Sequence, residues 1–351
     1  MNIAFVNATR KWGGVKTWML DVGEALRDRG HQVYVYGRQP EFAEQARLRV
    51  GHGECLAFGP DLNPVTVLHF YRAFRARRVQ AVFINVEKDL ATAGVAAHFL
   101  GIPVIQRIGM PDDIPLRRKT GMLHNVIKPR FFCPCRYIAD GFCQSLPYVE
   151  PDKVKVLLTA KPIGDEPIIT HSPRQIVVSQ QLNADKAHDV LLRALADIST
   201  PFVLHVAGTG DQEASLRALA SSLGLSERII WYGFTPNVNS LLRHADIFLL
   251  ASLAEGLPNT LLEALALGLL PVCRNVGGVR EALSPELEPW ILPYDAEEEA
   301  FRAVILKALE LSDDELRAVR EAARASARMY CDLDQMIVQF EHWLENEVIV
   351  R

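Results

Sequence analysis

Short apolar runs alternate with helix-length amphipathic segments along the whole of this 351-residue chain. Such alternation is typical of βα units, in which crossover helices cover the faces of a parallel sheet. It therefore predicts an α/β fold, and the length suffices for two domains, each with its own core.

The first half of the chain contains strand-like runs separated by helix-like segments. We expect strands at 2–7, 32–37, 81–85, 103–107 and 154–158, and helices at 15–29, 64–78 and 89–100. Gly30 and Gly101 follow two of these helices, where a left-handed residue commonly ends a helix. The stretch 111–135 has no clear period and is expected to be a long loop or lid.

Three prolines and a glycine in 161–174 predict a linker, after which the alternation begins again. We expect strands at 175–179, 202–207, 228–232, 246–250 and 270–273, helices at 188–196, 212–222, 237–243 and from about 259, and a helical tail over 299–349. Two doubly wound, Rossmann-like domains, 1–165 and 166–325, are predicted to face each other across a cleft, with ligands at the carboxyl ends of the strands. Residues 326–351 are expected to form a C-terminal helix that crosses back to the first domain.

Composition excludes several classes of protein. The net charge of −4 argues against a dedicated nucleic-acid binder. Six cysteines without paired metal-binding spacing indicate free thiols in a reducing compartment. The chain begins with a strand-like run rather than a signal peptide, and no apolar run approaches the ~20 residues that cross a bilayer. We expect a soluble cytoplasmic protein, at most peripheral to the inner face of the membrane.

Two glutamates, Glu255 and Glu263, lie eight positions apart in AEGLPNTLLEALALGLLPV, residues 254–272. Glu255 follows a strand-like run, and Pro258 and Asn259 favour the start of a helix. Eight helical residues span ~12 Å, more than the ~5–9.5 Å between the carboxylates of a glycosidase pair. The unpaired amides of the first helical turn form an anion site suited to phosphate.

Two carboxylates that flank a phosphate site suit a ligand with hydroxyl groups at both ends, such as a nucleotide-diphosphate sugar. The alternative is that Thr260 and Glu263 form only a capping box, with Glu255 solvated.

The segment EGLPNTLLEALALGLLPVCRNVGGVREAL is similar to the E-x7-E region of the family 4 glycosyltransferases. Members of that family are retaining enzymes of the two-domain GT-B fold. The preceding segments SQQLNADKAHDVLLRALADI, LHVAGTGDQEASLRALASSLGL and IIWYGFTPNVNSLLRHADIFLLAS extend the resemblance from about 175 to 283. In the first domain, the family's first strand, Gly-Gly loop and helix are similar to FVNATRKWGGVKTWMLDVGEALRDRGHQVYVY. No G-x-G-x-x-G motif follows a strand, which disfavours a dinucleotide-dependent dehydrogenase.

The resemblance implies a donor site made mostly by the second domain. Glu255 would hold hydroxyls of the donor sugar, Lys186 would neutralise the leaving diphosphate, and Glu263 would bind the ribose hydroxyls. The alternative for Lys186 is a solvated loop lysine. The remaining donor-side positions that the resemblance assigns are Gly13, Gly14, Gln181, Gly208, Gly256, Leu257, Pro258, Asn259, Thr260 and Leu261.

Three positions depart from the family's pattern. Gln181 stands where the family usually has an arginine, so one diphosphate cation is missing unless Arg107 replaces it. Residues 108–109, at Gly109 or its neighbour, replace a frequent histidine, and residues 160–161 replace the usual Asn-Gly near the linker. These departures leave the identity of the donor open.

Asp332 and Asp334 resemble a D-x-D metal motif, but residues two apart on a helix do not share a face, so no metal is expected. The resemblance implies metal-independent, cofactor-free transfer of a sugar from a nucleotide-diphosphate sugar to a glycan or lipid-linked glycan, as in polysaccharide or lipopolysaccharide biosynthesis. The alternatives are a nucleotide-sugar epimerase or hydrolase on the same fold, and a non-catalytic glycosyltransferase-like partner protein.

Two basic segments, 67–80 and 117–130, lie in the first domain, on the acceptor side that the resemblance implies. A basic amphipathic surface could contact anionic lipid or a lipid-linked phosphate acceptor. The alternative is an ordinary exposed helix face with solvated arginines.

Overall fold

The computed structural model describes residues 1–10, 12–235 and 238–349. The chain divides into two compact units, one comprising Met1–Thr159 and Leu333–Arg351 and the other Ala160–Asp332. Asn237, the first residue of the helix predicted at 237–243, lies outside the described residues, as do the last two residues of the predicted C-terminal helix.

The described residues of the first unit form seven strands and a set of helices that cover their sheet. The strands are β1 (Asn2–Asn7), β2 (Gln32–Gly37), β3 (Gly53–Cys55), β4 (Ala81–Ile84), β5 (Val104–Arg107), β6 (Arg130–Cys133) and β7 (Val154–Val156). The helices are α1 (Gly14–Asp28), α2 (Pro40–Val50), α3 (Pro64–Ala76), α4 (Glu87–Asp89), α5 (Val95–Phe99), α6 (Arg118–Ile127), α7 (Arg136–Ser145) and, from the other end of the chain, α14 (Leu333–Trp343). A π-helical turn, Leu90–Gly94, joins α4 to α5, a second, Leu344–Val348, follows α14, and a 3₁₀ turn, Pro151–Lys153, precedes β7.

These strands form one parallel sheet in the order β3-β2-β1-β4-β5-β6-β7. The C-terminal helix α14 packs into the aromatic core of this unit. Phe340 stacks on Phe83 with ring centroids 5.2 Å apart, and Trp343 stacks on Phe132 at 5.8 Å. Burial of large aromatic side chains is among the strongest stabilising contributions available to a domain core, so α14 is an integral part of the first unit.

The second unit repeats the same plan. Its strands are β8 (Arg174–Ser179), β9 (Phe202–Ala207), β10 (Ile229–Gly233), β11 (Ile247–Leu250), β12 (Leu270–Arg274) and β13 (Ile291–Leu292). Its helices are α8 (His188–Ala196), α9 (Glu213–Ser222), α10 (Val238–Leu242), α11 (Asn259–Ala266), α12 (Glu298–Leu309) and α13 (Asp313–Tyr330), with 3₁₀ turns at Ala184–Lys186, Ser226–Arg228, Val279–Ala282 and Pro285–Trp290.

The second sheet is also parallel, in the order β10-β9-β8-β11-β12-β13. Each sheet therefore has the doubly wound strand order of a Rossmann-like domain, and the α/β prediction is confirmed. In the second sheet the order reverses between β8 and β11. Ligands of such sheets bind at this reversal, beyond the carboxyl ends of the strands.

The hydrophobic periodicity located most elements of the second unit to within one or two residues. In the first unit, Gly30 and Gly101 have the predicted left-handed backbone, with φ of 87° and 66°. The long loop predicted at 111–135 is wrong, because this stretch contains α6 and β6. Leu123 and His124 face the core from α6, but the charged residues around them hide the helical period. The helix predicted at 89–100 is interrupted by the π-helical turn, in which the Thr92 hydroxyl donates to the Lys88 carbonyl oxygen at 2.8 Å.

Among the helices and strands of the described residues, α2, β3, α7 and β13 were also not predicted. The C-terminal helix predicted over 326–351 is wrong in its start, since α13 continues to Tyr330 and a new helix begins at Leu333. The intervening Asp332 forms a parallel bridge with Lys161, which the helical composition of the tail does not reveal.

Candidate active site

The loops that follow β8 and β11 meet at the reversal point of the second sheet. The Leu253 amide donates to the Asp185 carbonyl oxygen at 2.8 Å, and Gln180 Nε2 donates to Ser252 Oγ at 2.7 Å. The strands on either side of the reversal are neighbours, so residues distant in sequence come together here. These hydrogen bonds join the two loops into one surface.

Lys186 and Glu255 form an ion pair on this surface. Lys186 Nζ lies 2.8 Å from Glu255 Oε1, 3.1 Å from Asp185 Oδ2 and 2.9 Å from the Ala254 carbonyl oxygen. Gln180 Nε2 donates to the same Glu255 oxygen at 3.3 Å. Each of the two paired side chains is only 16% exposed, so the alternatives of a solvated lysine and a solvated Glu255 are wrong.

The environment of Lys186 fixes its charge. Burial disfavours the ammonium form, but the charges and hydrogen bonds of Glu255 and Asp185 together outweigh burial and raise the pKa of Lys186 above its ordinary value. Lys186 is therefore a permanent cation in a partly dry site, where its electrostatic effect is larger than in open water.

Two glycines permit the close approach of backbone that shapes the loops. Gly208, at φ 145°, lies where a Cβ atom would come 1.9 Å from the Gln180 carbonyl oxygen. Gly277, at φ 58°, lies where a Cβ atom would come 2.2 Å from the Glu255 carbonyl oxygen. Any other residue would displace the backbone of Gln180 or Glu255.

Helix α11 begins directly beyond the Glu255 loop, with Pro258 as its N-cap residue and no side-chain cap. The amides of Leu261 and Leu262 donate to the Pro258 carbonyl oxygen at 3.1 and 3.3 Å. Within the described part of the chain, the Asn259 and Thr260 amides have no backbone acceptor, as expected for a first helical turn. These two amides, rather than that of Leu261, are available to an anion.

The capping-box alternative is wrong, because Glu263 interacts with a distant lysine instead. Lys161 Nζ lies 2.8 Å from Glu263 Oε1, and the two side chains are 4% and 15% exposed. The Lys161 amide donates to the Cys331 carbonyl oxygen at 2.8 Å. Sequence reasoning identified residues 160–161 as a departure from the family's pattern but assigned no role to this lysine.

The other predicted donor-side residues of the second unit lie in the same loops. Gln181 is exposed, its side-chain oxygen accepts from Asn183 Nδ2 at 3.1 Å, and its carbonyl oxygen lies 3.2 Å from His188 Nε2. Burial lowers the pKa of His188, so this imidazole is neutral. Gly256, Leu257 and Pro258 are all buried. The Gly256 carbonyl oxygen accepts from the Gly278 amide at 2.7 Å.

Gly13, Gly14 and Arg107 belong to the first unit. Gly13 is the extended N-cap residue of α1, and a Cβ atom there would meet no described atom within 4 Å, which leaves the N-terminus of α1 open. Arg107 ends β5 with its guanidinium 4.8 Å from the ring centroid of Trp18. Burial lowers the pKa of Arg107 to about 10 against the opposing charge of Asp113, whose carboxylate also accepts from the Gly109 amide at 2.6 Å.

Among residues 1–10, 12–235 and 238–349, no group of three or more His, Cys, Asp or Glu side chains is placed to hold a metal ion. Cys133 and Cys135 are buried and belong to no disulfide bond among the described residues, and burial raises the pKa of Cys133.

The two basic segments of the first unit lie in one layer of helices. Phe70 and Phe74 of α3 and Leu123 of α6 pack into the same core cluster. At their N-terminal ends, Lys119 of α6 forms an ion pair with Asp61, which precedes α3. The exposed surface of this layer carries apolar and basic side chains, namely Val65, Leu68, Arg72, Arg75, Leu116, Arg117, Arg118, Met122 and Val126. We call it the α3/α6 surface. No helix among the described residues is both long and apolar enough to span a bilayer.

Two Rossmann-like domains, each built on a doubly wound parallel sheet, are the architecture of the GT-B glycosyltransferases. The model of the glycosyl transferases group 1 matches residues 165–326, and that of glycosyltransferase family 4 matches residues 12–159. Together the two models match most of the chain, which therefore belongs to the group 1, family 4 glycosyltransferases.

Relatives of the chain act in glycan synthesis, according to their names. The chain is 30% identical over 189 residues to the N-acetylgalactosamine-N,N'-diacetylbacillosaminyl-diphospho-undecaprenol 4-alpha-N-acetylgalactosaminyltransferase of Campylobacter jejuni, covering 52% of this chain and 51% of that protein. It is 29% identical over 178 residues to an amylovoran biosynthesis glycosyltransferase of Erwinia amylovora, covering 48% and 43%. The chain thus spans about half the length of the curated relatives it matches.

The fold extends over the whole chain in solved structures. Anabaena HepE in complex with UDP superposes with a TM-score of 0.82 at 17% identity, covering 98% of this chain and 99% of HepE. WaaG, a glycosyltransferase involved in lipopolysaccharide biosynthesis, superposes with a TM-score of 0.67 at 16% identity, covering 98% and 100%.

Proposed function

We propose that the protein is a retaining glycosyltransferase that moves a sugar from a nucleotide-diphosphate sugar to a glycan or lipid-linked glycan. The observation that carries this proposal is the Lys186–Glu255 ion pair beside the open first turn of α11. A fixed cation, two unpaired amides and a carboxylate suit a ligand that has a diphosphate next to sugar hydroxyls.

Each group has a separate task in this proposal. Glu255 accepts hydrogen bonds from the hydroxyls of the donor sugar. Lys186 and the amides of Asn259 and Thr260 hold the diphosphate. Glu263, on the far side of the first helical turn, binds the nucleoside hydroxyls. HepE, which shares the fold, was solved in complex with UDP, which supports a nucleotide as one part of the ligand.

The reaction follows from these positions. The bond between the anomeric carbon and the diphosphate oxygen breaks, and the acceptor hydroxyl oxygen bonds to that carbon on the same face, so configuration is retained. The hydroxyl proton passes to the departing diphosphate oxygen. Negative charge grows on the diphosphate during this step. Lys186 and the α11 amides stabilise this charge without moving, because they are already in position.

No cofactor and no metal ion take part in the proposed reaction. Divalent cations serve other transferases by neutralising the leaving diphosphate. Lys186 and the positive end of the α11 dipole supply that charge here. Gln181 provides none, so the site has fewer cations than the family's usual pattern.

We further propose that the acceptor is held at a membrane surface. The α3/α6 surface combines exposed Val65 and Leu116 with exposed arginines, a combination suited to anionic headgroups and the acyl boundary. The name of the Campylobacter jejuni relative specifies a diphospho-undecaprenol acceptor. A lipid-linked acceptor would place this unit at the inner face of the cytoplasmic membrane.

Two alternatives make different predictions. An epimerase or hydrolase would convert the donor without an acceptor. A non-catalytic partner protein, which the uncharged Gln181 suggests, would bind no nucleotide sugar or would bind it without turnover.

The test begins with a panel of uridine, guanosine, adenosine and thymidine diphosphate sugars, screened for thermal stabilisation, since a ligand that binds only the native state raises the unfolding midpoint. The stabilising donor is then incubated with and without membrane extract, and the anomeric configuration of the product is determined by NMR. We expect an acceptor-dependent product with retained configuration. An inverted product contradicts the retaining mechanism, and conversion without acceptor supports the epimerase or hydrolase.

A further inference from the structure

Arg107, the last residue of β5, is a buried arginine without a hydrogen-bonding partner. It is 5% exposed, and its guanidinium lies 4.8 Å from the ring centroid of Trp18. Within the described part of the chain, this guanidinium has neither a hydrogen-bond acceptor nor an ion-pair partner, and its Nε atom is buried. Burial lowers the pKa of Arg107 to about 10, so the side chain remains a cation at neutral pH.

The two other arginines that are buried among the described residues have full sets of partners. Arg274 Nε donates to the Ala251 carbonyl oxygen at 2.8 Å. Arg320 donates to three carbonyl oxygens and forms an ion pair with Asp246 at 2.7 Å. Because a buried charge without a partner costs free energy, the contrast indicates that the partner of Arg107 is a ligand.

The guanidinium of Arg107 borders a space beside Gly109. A Cβ atom at Gly109 would lie 3.5 Å from Nη1 of Arg107 and 3.8 Å from Cγ2 of Val15. Val15 is the second residue of α1, so the guanidinium and the first turn of α1 are next to the same space. Gly109 itself is only half-buried, so solvent reaches this part of the first unit.

The first turn of α1 has unpaired amides of its own. The N-cap residue Gly13 offers no side-chain cap, and its carbonyl oxygen accepts from the amides of Lys16 and Thr17 at 2.9 and 3.4 Å. Among the described residues, the amides of Gly14 and Val15 have no backbone acceptor. This end of the helix dipole favours an anion and disfavours a cation, so an arginine beside it is unfavourable unless an anion joins the two.

Asp113 does not supply this anion. Its charge opposes the effect of burial on the pKa of Arg107, but no ion pair forms between the two side chains. Its Oδ2 atom instead accepts from the amides of Gly109 and Met110 at 2.6 and 2.8 Å. The loop therefore holds its acidic side chain by its own backbone and leaves the guanidinium without a partner.

We propose that Arg107 and the first turn of α1 bind a phosphoryl group of a substrate. A guanidinium donates to two phosphate oxygens in parallel, and the amides of a helix N-terminus reach a third. The choice of a substrate phosphoryl group rests on the proposed function, which offers two sources, namely the diphosphate of the donor and the diphosphate of a lipid-linked acceptor.

Inorganic pyrophosphate is the probe for the site itself. Calorimetry would be performed on the full chain in a low-salt buffer without phosphate, in a Lys186→Gln background that removes the proposed diphosphate cation of the second unit. Adding Arg107→Met to this background should weaken pyrophosphate binding at least about tenfold. Arg107→Lys, which keeps the charge without the paired donors, should bind with intermediate affinity. Arg193→Met removes an exposed arginine from α8 and should bind as the background does.

Thermal unfolding without pyrophosphate separates a binding role from a structural role. If Arg107 is present for a ligand, Arg107→Met should unfold at the same temperature as its background or a higher one, because an unpaired buried charge is removed. An arginine that only supports the fold would give a lower midpoint and unchanged pyrophosphate binding, which would overturn the inference. Arg107→Lys carries the binding comparison if Arg107→Met does not fold.

Two measurements on Arg107→Met in the otherwise wild-type chain distinguish the sources. Weaker binding of the nucleoside diphosphate assigns the site to the donor. Unchanged nucleotide binding, with more membrane extract needed for the half-maximal rate, assigns it to the acceptor. If neither changes, the inference is wrong while transfer by the wild type still supports the proposed function. If the wild type binds pyrophosphate through Arg107 but transfers no sugar, the proposed function fails and the anion site remains.

Discussion

The Nζ atom of Lys186 lies 2.8 Å from Oε1 of Glu255, although the two residues are 69 positions apart in the chain. The pair joins the loop after β8 to the loop after β11, on the two sides of the reversal point of the second sheet. Both side chains are therefore held in place before a ligand arrives. Such preorganisation reduces the reorganisation needed during a charge-separating step.

Replacement of Glu255 should slow transfer strongly without unfolding the protein. In Glu255→Gln, Lys186 keeps Asp185 and the Ala254 carbonyl oxygen as partners, so the loop retains its ion pair. We expect kcat to fall on the order of 10²–10³-fold with little change in the circular dichroism spectrum. Glu227→Gln, in the exposed 3₁₀ turn Ser226–Arg228, is the matched control and should keep full activity. Undiminished turnover in Glu255→Gln would remove this residue from the site.

Gly208 should tolerate no side chain. The Cβ atom of Gly208→Ala would lie 1.9 Å from the Gln180 carbonyl oxygen at a φ of 145°. We expect a loss of about 1–3 kcal/mol in the free energy of unfolding, together with weaker nucleotide binding because Gln180 contacts Glu255. Urea unfolding and calorimetry measure the two effects. Gly121 lies on α6, where an added Cβ atom would meet no described atom within 4 Å. Gly121→Ala should therefore raise the free energy of unfolding by about 0.5–1 kcal/mol.

The first unit should lose stability in mild acid through His124. Burial lowers the pKa of this imidazole to about 4; its Nε2 lies 2.9 Å from Gln106 Oε1 and its Nδ1 3.0 Å from the Tyr148 hydroxyl. As the pH falls from about 6.5 toward 4, the unfolded chain binds a proton that the folded chain does not. The loss approaches about 3 kcal/mol, since each pKa unit corresponds to about 1.4 kcal/mol.

Urea unfolding midpoints at pH 7.5 and 5 measure this dependence. His124→Gln should flatten it, although it begins from a lower stability at pH 7.5. His188 and His205 also have pKa values lowered by burial and add slope of the same sign. Burial raises the pKa of Asp89 to about 7, which adds slope of the opposite sign, so the wild type and His124→Gln are compared over the same two pH values. His244→Gln, at an exposed position, should leave the slope as in the wild type. Equal slopes for His124→Gln and the wild type would mean that this imidazole is solvated.

Transfer should continue in the presence of excess EDTA, because Lys186 and the α11 amides take the place of a divalent ion in the proposed reaction. Added Mg²⁺ or Mn²⁺ should not raise the initial rate with the stabilising donor. A metal that polarised the diphosphate would contribute several kcal/mol to the barrier. Loss of activity in EDTA, with recovery on adding one of these ions, would show that the proposed electrostatic role of Lys186 is incomplete.

The α3/α6 surface should bind anionic vesicles. Co-sedimentation with phosphatidylglycerol vesicles should fall with rising salt, since exposed charges are screened beyond about 10 Å at 0.1 M. Arg72→Glu combined with Arg118→Glu changes one exposed arginine on each helix, and loss of each positive charge should weaken binding about fivefold. Arg193→Glu, exposed on α8 of the second unit, is the control. If the double variant and the wild type bind vesicles equally well, the α3/α6 surface does not contact the membrane.

The sequence by itself determined the α/β class and most elements of the second unit, because hydrophobic periodicity is a local property that a strand or helix carries with it. It also located Glu255 and Lys186 in loops at the carboxyl ends of strands, where parallel sheets bind ligands. The same reasoning did not detect α6 and β6, whose apolar faces are short and surrounded by charge, so that their burial depends on the helices and strands that cover them.

Only the tertiary structure decided the partners of the functional side chains. Lys161 and Glu263 are 102 positions apart, and no local pattern relates a linker lysine to the first turns of a helix. The chain enters the second unit at Ala160 and leaves it at Asp332. The Lys161 amide donates to the Cys331 carbonyl oxygen and its backbone bridges Asp332, and this pairing holds Lys161 in place. A capping box is equally compatible with the letters Thr260 to Glu263. The folded chain selects the ion pair because it buries a lysine beside Glu263, and a buried charge without a partner is costly.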